Sequence, residues 1–340
     1  MEYNEILKNA KKNMAGFCIG CPICNGLACK TKVPGPGGKG TGEAYTRNFE
    51  RFSKVKINMD TIFEAGEIST EFEIFGKKFA MPVFAAPIGA PTVHYGSMLT
   101  DEQYSQILFE GCKEAGIMAF GGDGTASEAY NMPLQIIKSL GGYGVPTIKP
   151  WSVEEMKRKI AIAEDAGAFA IATDIDGSGL AMLKKSNTPV GPKSIADLKE
   201  LVSATKLPLI VKGIMTAKGA RKAMEAGVYG IVVSNHGGRV LDQTPATIEV
   251  LPEIVEAVGG KVKIFIDGGI RSGLDIFKCL AIGADAVLIA RPFATMIYGG
   301  GKDAIATYVR KLRTELAQTM EMAGANNLGE IDSSMVRIVD

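Results

Sequence analysis

The sequence predicts an α/β fold, a closed (β/α)8 TIM barrel with an N-terminal cysteine-bearing extension. From about residue 81 onward, short apolar runs rich in β-branched residues alternate with segments of helical spacing, which indicates parallel strands with helices outside. There are eight such runs, the number that closes a barrel filled by its own side chains. Polar residues and glycines gather where the runs end, as in barrels that build a site from strand C-termini.

The predicted strands and helices follow from these runs. The strands span Met81–Pro87, Ile117–Gly121, Val145–Lys149, Phe169–Asp176, Leu207–Lys212, Gly230–His236, Lys263–Gly268 and Asp285–Arg291. Helical spacing is found in Val153–Glu164 and Thr216–Ala226, and the last barrel helix is predicted over Asp303–Ala323. An open doubly wound sheet is the alternative, but its polar residues would gather at a single switch point.

The chain divides into three predicted parts. Residues 1–80 form an N-terminal cap with a cysteine cluster and a glycine-rich loop, residues 81–325 form the barrel, and residues 326–340 form a tail. The glycine-rich loop, Val33–Gly42, lacks the ending of a phosphate-binding P-loop and follows no strand. We expect it to cover the barrel mouth, where Lys39 could reach a substrate anion.

The composition excludes several classes of partner. The 340 residues are 46% hydrophobic and 22% charged, with a formal net charge of +1, so neither nucleic acid nor an anionic membrane is an expected partner. No apolar run is long enough to span a bilayer. The N-terminal sequence is charged and lacks an apolar secretory core. These features predict a cytoplasmic protein.

Three motifs at strand ends carry the candidate chemistry. They are Ser234–Arg239 (SNHGGR), Asp267–Arg271 (DGGIR) and Ala290–Pro292 (ARP). The first places one of the two histidines of the chain near an arginine, and a neutral imidazole is suited to proton abstraction. Glycine-rich turns and arginines are suited to a phosphate group. The other histidine, His94, is expected in a loop after the first strand.

Longer stretches around these motifs resemble a known family. IVKGI around Lys212, SNHGGRVLDQTPATIEVLPEIV from Ser234 and FIDGGIRSGLDIFKCLAIGADAVLIARPF from Phe265 are similar to the FMN-dependent 2-hydroxy-acid dehydrogenases and oxidases, which oxidise lactate, glycolate or mandelate. The resemblance is specific over Leu207–Pro292 and weaker upstream. It implies an FMN-binding barrel that oxidises a small 2-hydroxy acid to a 2-oxo acid.

The resemblance also implies roles for individual residues. His236 matches the base of the family, and Asp176 matches the carboxylate that stabilises its imidazolium. Arg239 matches the residue that binds the substrate carboxylate with a bidentate geometry. Lys212 matches the lysine beside the pyrimidine edge of the flavin.

Further residues match the flavin-binding positions of the family. The phosphate is expected over the last two barrel strands, on the backbone of Gly268 and Gly269 and on Arg271 and Arg291. Ala86, Pro87 and Ile88 are expected against the ring, Thr147 and Asp174 hydrogen-bonded to it, and Ser234, Gly237, Asp267 and Ala290 in the same cofactor site. Asp174 is an unusual choice, since a carboxylate there needs a proton or another donor partner.

Several departures from the family leave the substrate open. Lys149 stands where the family has a tyrosine, and no arginine follows Asp174 in DIDGSGLAM. The loop after the fourth strand is reduced to Gly177–Lys206, and the N-terminal substrate tyrosine has no counterpart. Lys149 could replace part of the lost positive charge at the substrate. Two alternatives are a non-redox FMN isomerase similar to type 2 isopentenyl diphosphate isomerase and a non-catalytic flavin and metal redox carrier.

Four cysteines are closely spaced in the extension. Cys18, Cys21, Cys24 and Cys29 resemble ferredoxin-type ligands in their first two gaps, although the third gap is longer and no proline follows. A [4Fe–4S] cluster, zinc and free thiols are the open alternatives, whereas Cys112 and Cys279 are expected to be packing residues. A cluster beside FMN would pass electrons to a redox-protein acceptor. A homo-oligomer is expected only by analogy with the family.

Overall fold

The chain folds around a closed barrel of eight parallel strands, as the sequence predicts. The computed structural model describes residues 1–14, 16–184 and 190–339. The strands are β1 (Val55–Ile57), β2 (Phe72–Ile74), β3 (Lys77–Phe79), β4 (Val83–Ala85), β5 (Met118–Gly121), β6 (Val145–Ile148), β7 (Ile171–Asp174), β8 (Leu209–Ile214), β9 (Gly230–Val233), β10 (Lys263–Asp267), β11 (Ala286–Ile289) and β12 (Val336–Ile338). The barrel consists of β4 to β11 in chain order, with β11 paired to β4.

Most strands end earlier than predicted, β9 at Val233 and β11 at Ile289, and the ends of β7 and β8 matter for the site. β7 ends at Asp174, so Asp176 lies in the 3₁₀ turn Ile175–Gly179 that follows and not on the strand. β8 continues past Lys212 to Ile214, and its pairing with β9 is irregular between these two residues. Such a bulge re-aims side chains near a site. Both differences arise where the chain leaves regular pairing to form the barrel mouth.

Helices surround the barrel. They are α1 (Tyr3–Asn13), α2 (Glu43–Glu50), α3 (Pro91–Tyr95), α4 (Asp101–Glu114), α5 (Glu128–Ser139), α6 (Val153–Asp165), α7 (Ala181–Lys184), α8 (Ile195–Ser203), α9 (Ala217–Glu225), α10 (Thr247–Val258), α11 (Gly273–Ile282) and α12 (Arg291–Ala323). Ser152 and Thr216 each accept a backbone hydrogen bond at the start of α6 and α9, as N-cap residues do. The two helices predicted there are confirmed.

The last helix begins earlier than predicted. α12 starts at Arg291, directly after β11, and not at Asp303. Non-helical backbone at Gly300 and Gly301 interrupts it, so the predicted helix corresponds to its second segment. Arg291, the first residue of this helix, lies at the cavity at the barrel mouth.

Aromatic side chains fill and close the lower end of the barrel. Phe84, Phe120 and Phe265 are fully buried inside it. Phe79, from the β2–β3 hairpin, packs edge-on against Phe84 with ring centroids 5.3 Å apart, and Phe75 of the hairpin stacks with Phe265. The hairpin therefore covers the N-terminal ends of the strands, which leaves the C-terminal ends for a ligand.

The two ends of the chain pack onto the barrel. Asn13, at the end of α1, donates to the Tyr298 carbonyl of α12 at 2.7 Å. β12 pairs antiparallel with β1, so the segment predicted as a tail contains a strand. The division into cap, barrel and tail stays a prediction. Residues 185–189 of the loop after β7 lie outside the described residues. Within the described parts of the chain, no helix has the length and hydropathy needed to cross a membrane.

Candidate active site

A cavity of about 260 Å³ opens at the C-terminal ends of the barrel strands. It is lined by most of the residues predicted for the site: Ala86, Pro87, Ile88, Lys149, Lys212, His236, Gly237, Arg239, Asp267, Gly268, Gly269, Arg271, Ala290 and Arg291. Asp174, Asp176 and Ser234 each contact a lining side chain, and Thr147 is buried on β6. The barrel thus brings the predicted residues together in one region.

His236 and Asp176 form a hydrogen-bonded pair in this cavity. His236 Nδ1 lies 3.0 Å from Asp176 Oδ1, an arrangement that assigns the proton to Nδ1 and leaves Nε2 as an acceptor. Burial lowers the pKa of His236 well below its ordinary value, and the charges of Lys212 and Lys149 lower it further. The imidazole is therefore neutral at pH 7 and able to accept a proton.

The backbone at His236 adopts an uncommon conformation. His236 has a φ of +58°, in the left-handed region, and Gly237 follows with a φ of +62°. For a residue with a Cβ this conformation costs about 1–2 kcal/mol, so other contacts must stabilise it. Ser234 Oγ accepts from the His236 N–H at 3.1 Å, and Asn235 Oδ1 accepts from the Gly238 N–H at 3.2 Å. These bonds hold the imidazole at the cavity.

Asn48 of α2 fixes this turn from the cap. Its Nδ2 donates to Asn235 Oδ1 at 2.7 Å, and Asn235 Nδ2 donates back to Asn48 Oδ1 at 3.1 Å. The sequence analysis missed both residues. Asn235 lies inside the SNHGGR motif, which was a usable signal, whereas Asn48 is 187 residues away and carries no sequence signal.

Two buried ion pairs surround the histidine. Lys149 Nζ lies 2.5 Å from Asp174 Oδ2, and Lys212 Nζ lies 3.3 Å from Asp267 Oδ2. Burial alone would lower the pKa of Lys212, but the nearby carboxylates outweigh it and raise that pKa. Asp176 is a third carboxylate. When His236 accepts a proton, its imidazolium and the two lysines carry three positive charges, which balance the three carboxylates. The buried group of side chains is then neutral.

The Lys149–Asp174 pair explains the unusual aspartate. The sequence analysis required either a proton on Asp174 or a donor partner other than the flavin, and Lys149 Nζ is that donor. Lys149 was predicted as a substrate contact. Its ammonium is bonded to Asp174, although the residue also lines the cavity, so substrate contact stays a prediction.

Gly213 makes room for Asp176. It lies in the bulge of β8 with a φ of +104°, and a Cβ there would come within 2.5 Å of Asp176 Cβ. Only glycine combines this backbone conformation with so close an approach. A glycine inside the IVKGI strand motif is a recognised sign of a bulge, but the sequence analysis did not use it.

Arg239 joins the glycine-rich loop to the cavity. Its Nη1 donates to the carbonyls of Gly35 and Gly37 at 2.7 and 2.9 Å, and its Nη2 lies 3.4 Å from His94 Nδ1. His94 lies in the short helix α3, not in a loop as expected. Burial, followed by the charge of Arg239, lowers the pKa of His94 to about 4. The loop therefore covers the mouth, as predicted, with a neutral His94 beside it.

Lys39 attaches the glycine-rich loop to the barrel rim. Its ammonium donates to the carbonyls of Gly179 and Val240, at 3.3 and 3.0 Å. The residue also lines the cavity, so contact with a substrate anion stays a prediction.

The donor set at the other end of the cavity fits a phosphate group. The Arg271 guanidinium is half-buried and donates to the Cys24 and Ile270 carbonyls. Arg291 donates to the Pro36 carbonyl at 2.6 Å and stacks on the Tyr45 ring. Among the described residues, neither guanidinium forms a salt bridge with a carboxylate. Two half-buried cations without a carboxylate partner are a suitable environment for an anion.

Buried atoms without partners fit the ring of a flavin. In the described residues, Thr147 Oγ1 and Asp267 Oδ1 are buried and have no hydrogen-bond partner. Such atoms are rare in proteins unless a ligand or water completes them, and the isoalloxazine edge offers both donors and acceptors. At Gly269 the backbone passes close to α2, and a Cβ there would lie 1.9 Å from the Asn48 carbonyl oxygen.

The four cysteines line another cavity. It has a volume of about 640 Å³ and contains Cys18, Cys21, Cys24 and Cys29 in its wall. All four are free thiols. Among the described residues, the one set of three or more potential metal ligands with its atoms within 4.8 Å is Asp174, Asp176 and His236. The cysteines are therefore clustered, but not at the spacing of a compact tetrahedral ion site. Cys112 and Cys279 are buried in the core.

The chain is similar to flavin enzymes over most of its length. Residues 35–188 and 185–338 match the family described as FMN-dependent dehydrogenase. A 2-hydroxyacid oxidase of Dictyostelium discoideum is 31% identical, covering 85% of this chain and 81% of the relative. A peroxisomal (S)-2-hydroxyacid oxidase of Arabidopsis thaliana is 48% identical over 42% of this chain and 39% of its own. The crystal structure of a mandelate oxidase is 26% identical, with a TM-score of 0.79 over 98% of this chain and 97% of that one.

Proposed function

Because the chain belongs to the FMN-dependent dehydrogenase family, we propose that it oxidises a small 2-hydroxy acid to the 2-oxo acid with His236 as the base. Family membership confirms the FMN-dependent oxidoreductase that the SNHGGR and DGGIR motifs indicated. The observation that supports this substrate class most directly is a neutral His236, bonded to Asp176, in the cavity that Arg239 also lines. Neither the isomerase nor the non-catalytic carrier is needed to account for this site.

The proposed mechanism assigns proton transfer to His236. Its Nε2 accepts the proton that leaves the hydroxyl group as the C–O bond becomes a carbonyl, while Nδ1–H stays bonded to Asp176. The Asp176 carboxylate then stabilises the imidazolium. When bound, FMN would accept the two electrons together with the hydrogen of the Cα–H bond that breaks, so that the substrate loses both hydrogens and becomes the 2-oxo acid.

The substrate carboxylate is assigned to Arg239. The bonds from its Nη1 to Gly35 and Gly37 and the 3.4 Å contact of its Nη2 with His94 Nδ1 fix the guanidinium, and the residue lines the cavity where a ligand would lie. The pKa of Arg239 is lowered to about 10 by burial and by Arg291, so it stays charged at neutral pH. An anionic substrate would therefore gain a charge-assisted hydrogen bond.

The flavin site is assigned to residues around the same cavity. We place Ala86, Pro87, Ile88, Thr147, Asp174, Lys212 and Asp267 along the ring, Gly268, Gly269, Ala290, Arg271 and Arg291 at the phosphate, and Ser234 and Gly237 in support. The partnerless Thr147 and Asp267 oxygens support the ring position. The two guanidiniums without a carboxylate partner among the described residues support the phosphate position.

Location and partners stay proposals. A cytoplasmic location is proposed for the chain, whereas one of its relatives is described as a peroxisomal enzyme. A homo-oligomer is proposed by analogy with the family. A redox protein is proposed as the electron acceptor because of the cysteine cluster.

Anaerobic reduction of the bound flavin tests the proposed function. Glycolate, lactate and mandelate are added in turn to the purified protein, and the flavin absorbance is recorded with the 2-oxo acid produced. We expect at least one 2-hydroxy acid to bleach the flavin, whereas matched 3-hydroxy acids leave it oxidised. Flavin that stays bound but is not bleached by any 2-hydroxy acid contradicts the proposal.

A further inference from the structure

The cavity of the four cysteines is a second candidate site, separate from the barrel mouth. The proposed function uses none of its cysteines. Its wall combines Cys18, Cys21, Cys24 and Cys29 with side chains from α1, α2, α11 and α12. Four thiols on a segment of twelve residues converge here on one enclosed space. Such convergence is unusual for packing residues, because free cysteines that only fill a core have no reason to share a cavity.

The cavity is adjacent to the proposed flavin site. Tyr95, Arg271 and Arg291 line both cavities. The backbone also connects them, since Arg271 Nε donates to the Cys24 carbonyl at 2.8 Å. A redox group held by the cysteines would therefore lie directly behind the residues assigned to the flavin phosphate.

The surroundings of the sulfurs fit thiolate ligands. Tyr45 Oη lies 3.9 Å from Cys24 Sγ and 3.8 Å from Cys29 Sγ, so its hydroxyl can donate to one of these sulfurs. Hydrogen bonds to the sulfurs are among the factors that set cluster potentials. No disulfide joins the described cysteines, and all four are free to act as ligands.

The charges of the wall fit a dianion. A [4Fe–4S] core with a charge of 2+ and four thiolates carries a net charge of 2−. Arg271 and Arg291, whose guanidiniums make no salt bridge to a carboxylate in the described parts of the chain, supply two positive charges. Both guanidiniums border this cavity as well as the proposed phosphate position, so their positive charges lie beside a cluster dianion and lower the cost of placing it in the protein.

The spacing of the sulfurs distinguishes a cluster from zinc. A tetrahedral zinc site with Zn–S bonds of about 2.3 Å requires sulfurs about 3.8 Å apart. No three cysteine sulfurs of the described chain fall within 4.8 Å of one another. A cluster keeps its ligands further apart, since iron and sulfide atoms lie between them, and a cavity of about 640 Å³ has room for it.

We propose that Cys18, Cys21, Cys24 and Cys29 bind a [4Fe–4S] cluster that removes electrons from the flavin site. The removal of electrons from the flavin site rests on the proposed function. Oxidation of one 2-hydroxy acid releases two electrons and two protons. The electrons leave singly, each reducing the cluster from the 2+ to the 1+ state before an external one-electron carrier protein oxidises it again. Both protons are released to solvent, the hydroxyl proton by way of His236.

Metal analysis of the wild-type protein tests the site without reference to activity. After anaerobic purification we expect about four iron atoms and about four acid-labile sulfides per chain, with broad visible absorption in addition to the flavin bands. Cys21→Ala should lose most of the iron and sulfide, whereas Cys112→Ala, a matched change of a buried cysteine outside the cavity, should retain both. Zinc in place of iron, or wild-type protein without iron and sulfide, overturns the proposal.

Electron paramagnetic resonance separates this proposal from the proposed function. Dithionite should produce the signal of a reduced cluster whatever the substrate is. Addition of a 2-hydroxy acid under anaerobic conditions should bleach the flavin and produce the same signal. A bleached flavin with a cluster that stays oxidised overturns the electron-removal role, even when iron and sulfide are present. A cluster signal with dithionite, but no bleaching by any 2-hydroxy acid, instead counts against the proposed function and leaves the cluster site supported.

Discussion

Lys149 Nζ and Asp174 Oδ2 lie 2.5 Å apart, at the ends of the neighbouring strands β6 and β7. The Asp174 side chain is 1% exposed, so this is a buried ion pair. Lys149 occupies the position of a tyrosine on the third barrel strand of the FMN-dependent 2-hydroxy-acid dehydrogenases and oxidases. The pair places an ammonium and a carboxylate beside His236. Because these two charges neutralise each other, the pair adds nothing to the net charge of the site.

Breaking this pair from one side should destabilise the protein. Lys149→Met leaves Asp174 buried without its cation, and we expect a loss of about 3–5 kcal/mol in the free energy of unfolding, measured with urea. Lys138→Met is the control, since Lys138 and Asp165 form a pair of the same type with side chains 60% and 76% exposed. Its expected cost is below about 1 kcal/mol. Equal losses in the free energy of unfolding of the two variants would contradict the buried ion pair between Lys149 and Asp174.

Gly213 should be needed for catalysis as well as for stability. Gly213→Ala and Gly141→Ala both put a Cβ at positive φ, but only Gly213 has Asp176 within reach, since nothing lies within 4 Å of a Cβ at Gly141. Gly141→Ala should cost about 1–2 kcal/mol in stability, and Gly213→Ala should cost more, because its Cβ also meets Asp176. Only Gly213→Ala should also slow flavin reduction, by about 10²-fold, because it displaces Asp176. Similar reduction rates in both variants would show that Asp176 does not depend on this glycine.

His94 should make stability depend on pH on the acid side. Its pKa is about 4 in the folded chain, below the ordinary value of 6.5. Between these values the unfolded chain binds more protons, so the free energy of unfolding falls as the pH falls from 6.5 toward 4. His94 Nδ1 accepts from the Gly35 N–H at 3.4 Å, and His94→Asn keeps an acceptor at this position but does not titrate.

Urea unfolding at several pH values measures this effect. The decline over that window should be shallower in His94→Asn than in the wild type. His236 also has a lowered pKa and contributes to the decline in both proteins. Parallel curves for the two proteins would mean that His94 does not titrate in this window.

Arg239→Lys should weaken substrate binding. Lysine has a single donor nitrogen, so it cannot keep the Gly35 and Gly37 carbonyls on one nitrogen and offer another to a carboxylate. We therefore expect KM for a 2-hydroxy acid to rise about 10- to 100-fold, the loss of a hydrogen bond between charged groups. The bound flavin should remain. Arg158→Lys, at a surface residue paired with Glu155 and 55% exposed, is the control. An unchanged KM in Arg239→Lys removes the arginine from the substrate site.

Local patterns predicted much of the barrel and the candidate site. The eight strands were recognisable because each is a short apolar run that ends in glycine or a polar residue, and His236 stood inside a compact motif. Asp176 was placed correctly beside His236 in space, although it lies in a turn past β7. These features depend on residues close together in the chain, where periodicity and turn chemistry act.

The remaining features depend on contacts that only the closed barrel creates. Asn48 and Asn235 are 187 residues apart, and Arg239 and Gly35 are 204 residues apart. No spacing rule relates such residues, so neither the amide pair nor the attachment of the glycine-rich loop could be predicted. The start of α12 was missed because the mostly apolar segment Arg291–Tyr298 leads into three glycines, which interrupt the helical pattern.

Rapid-mixing measurement of anaerobic flavin reduction tests the central assignment most directly. The wild type and His236→Asn, each with its flavin content determined, are mixed with the 2-hydroxy acid that bleaches the wild type best. With His236 as the base, the reduction rate falls by about 10²- to 10⁴-fold in the variant, while the flavin content is unchanged. Reduction of His236→Asn at the wild-type rate would contradict the account, because the proton would then leave the substrate through another group.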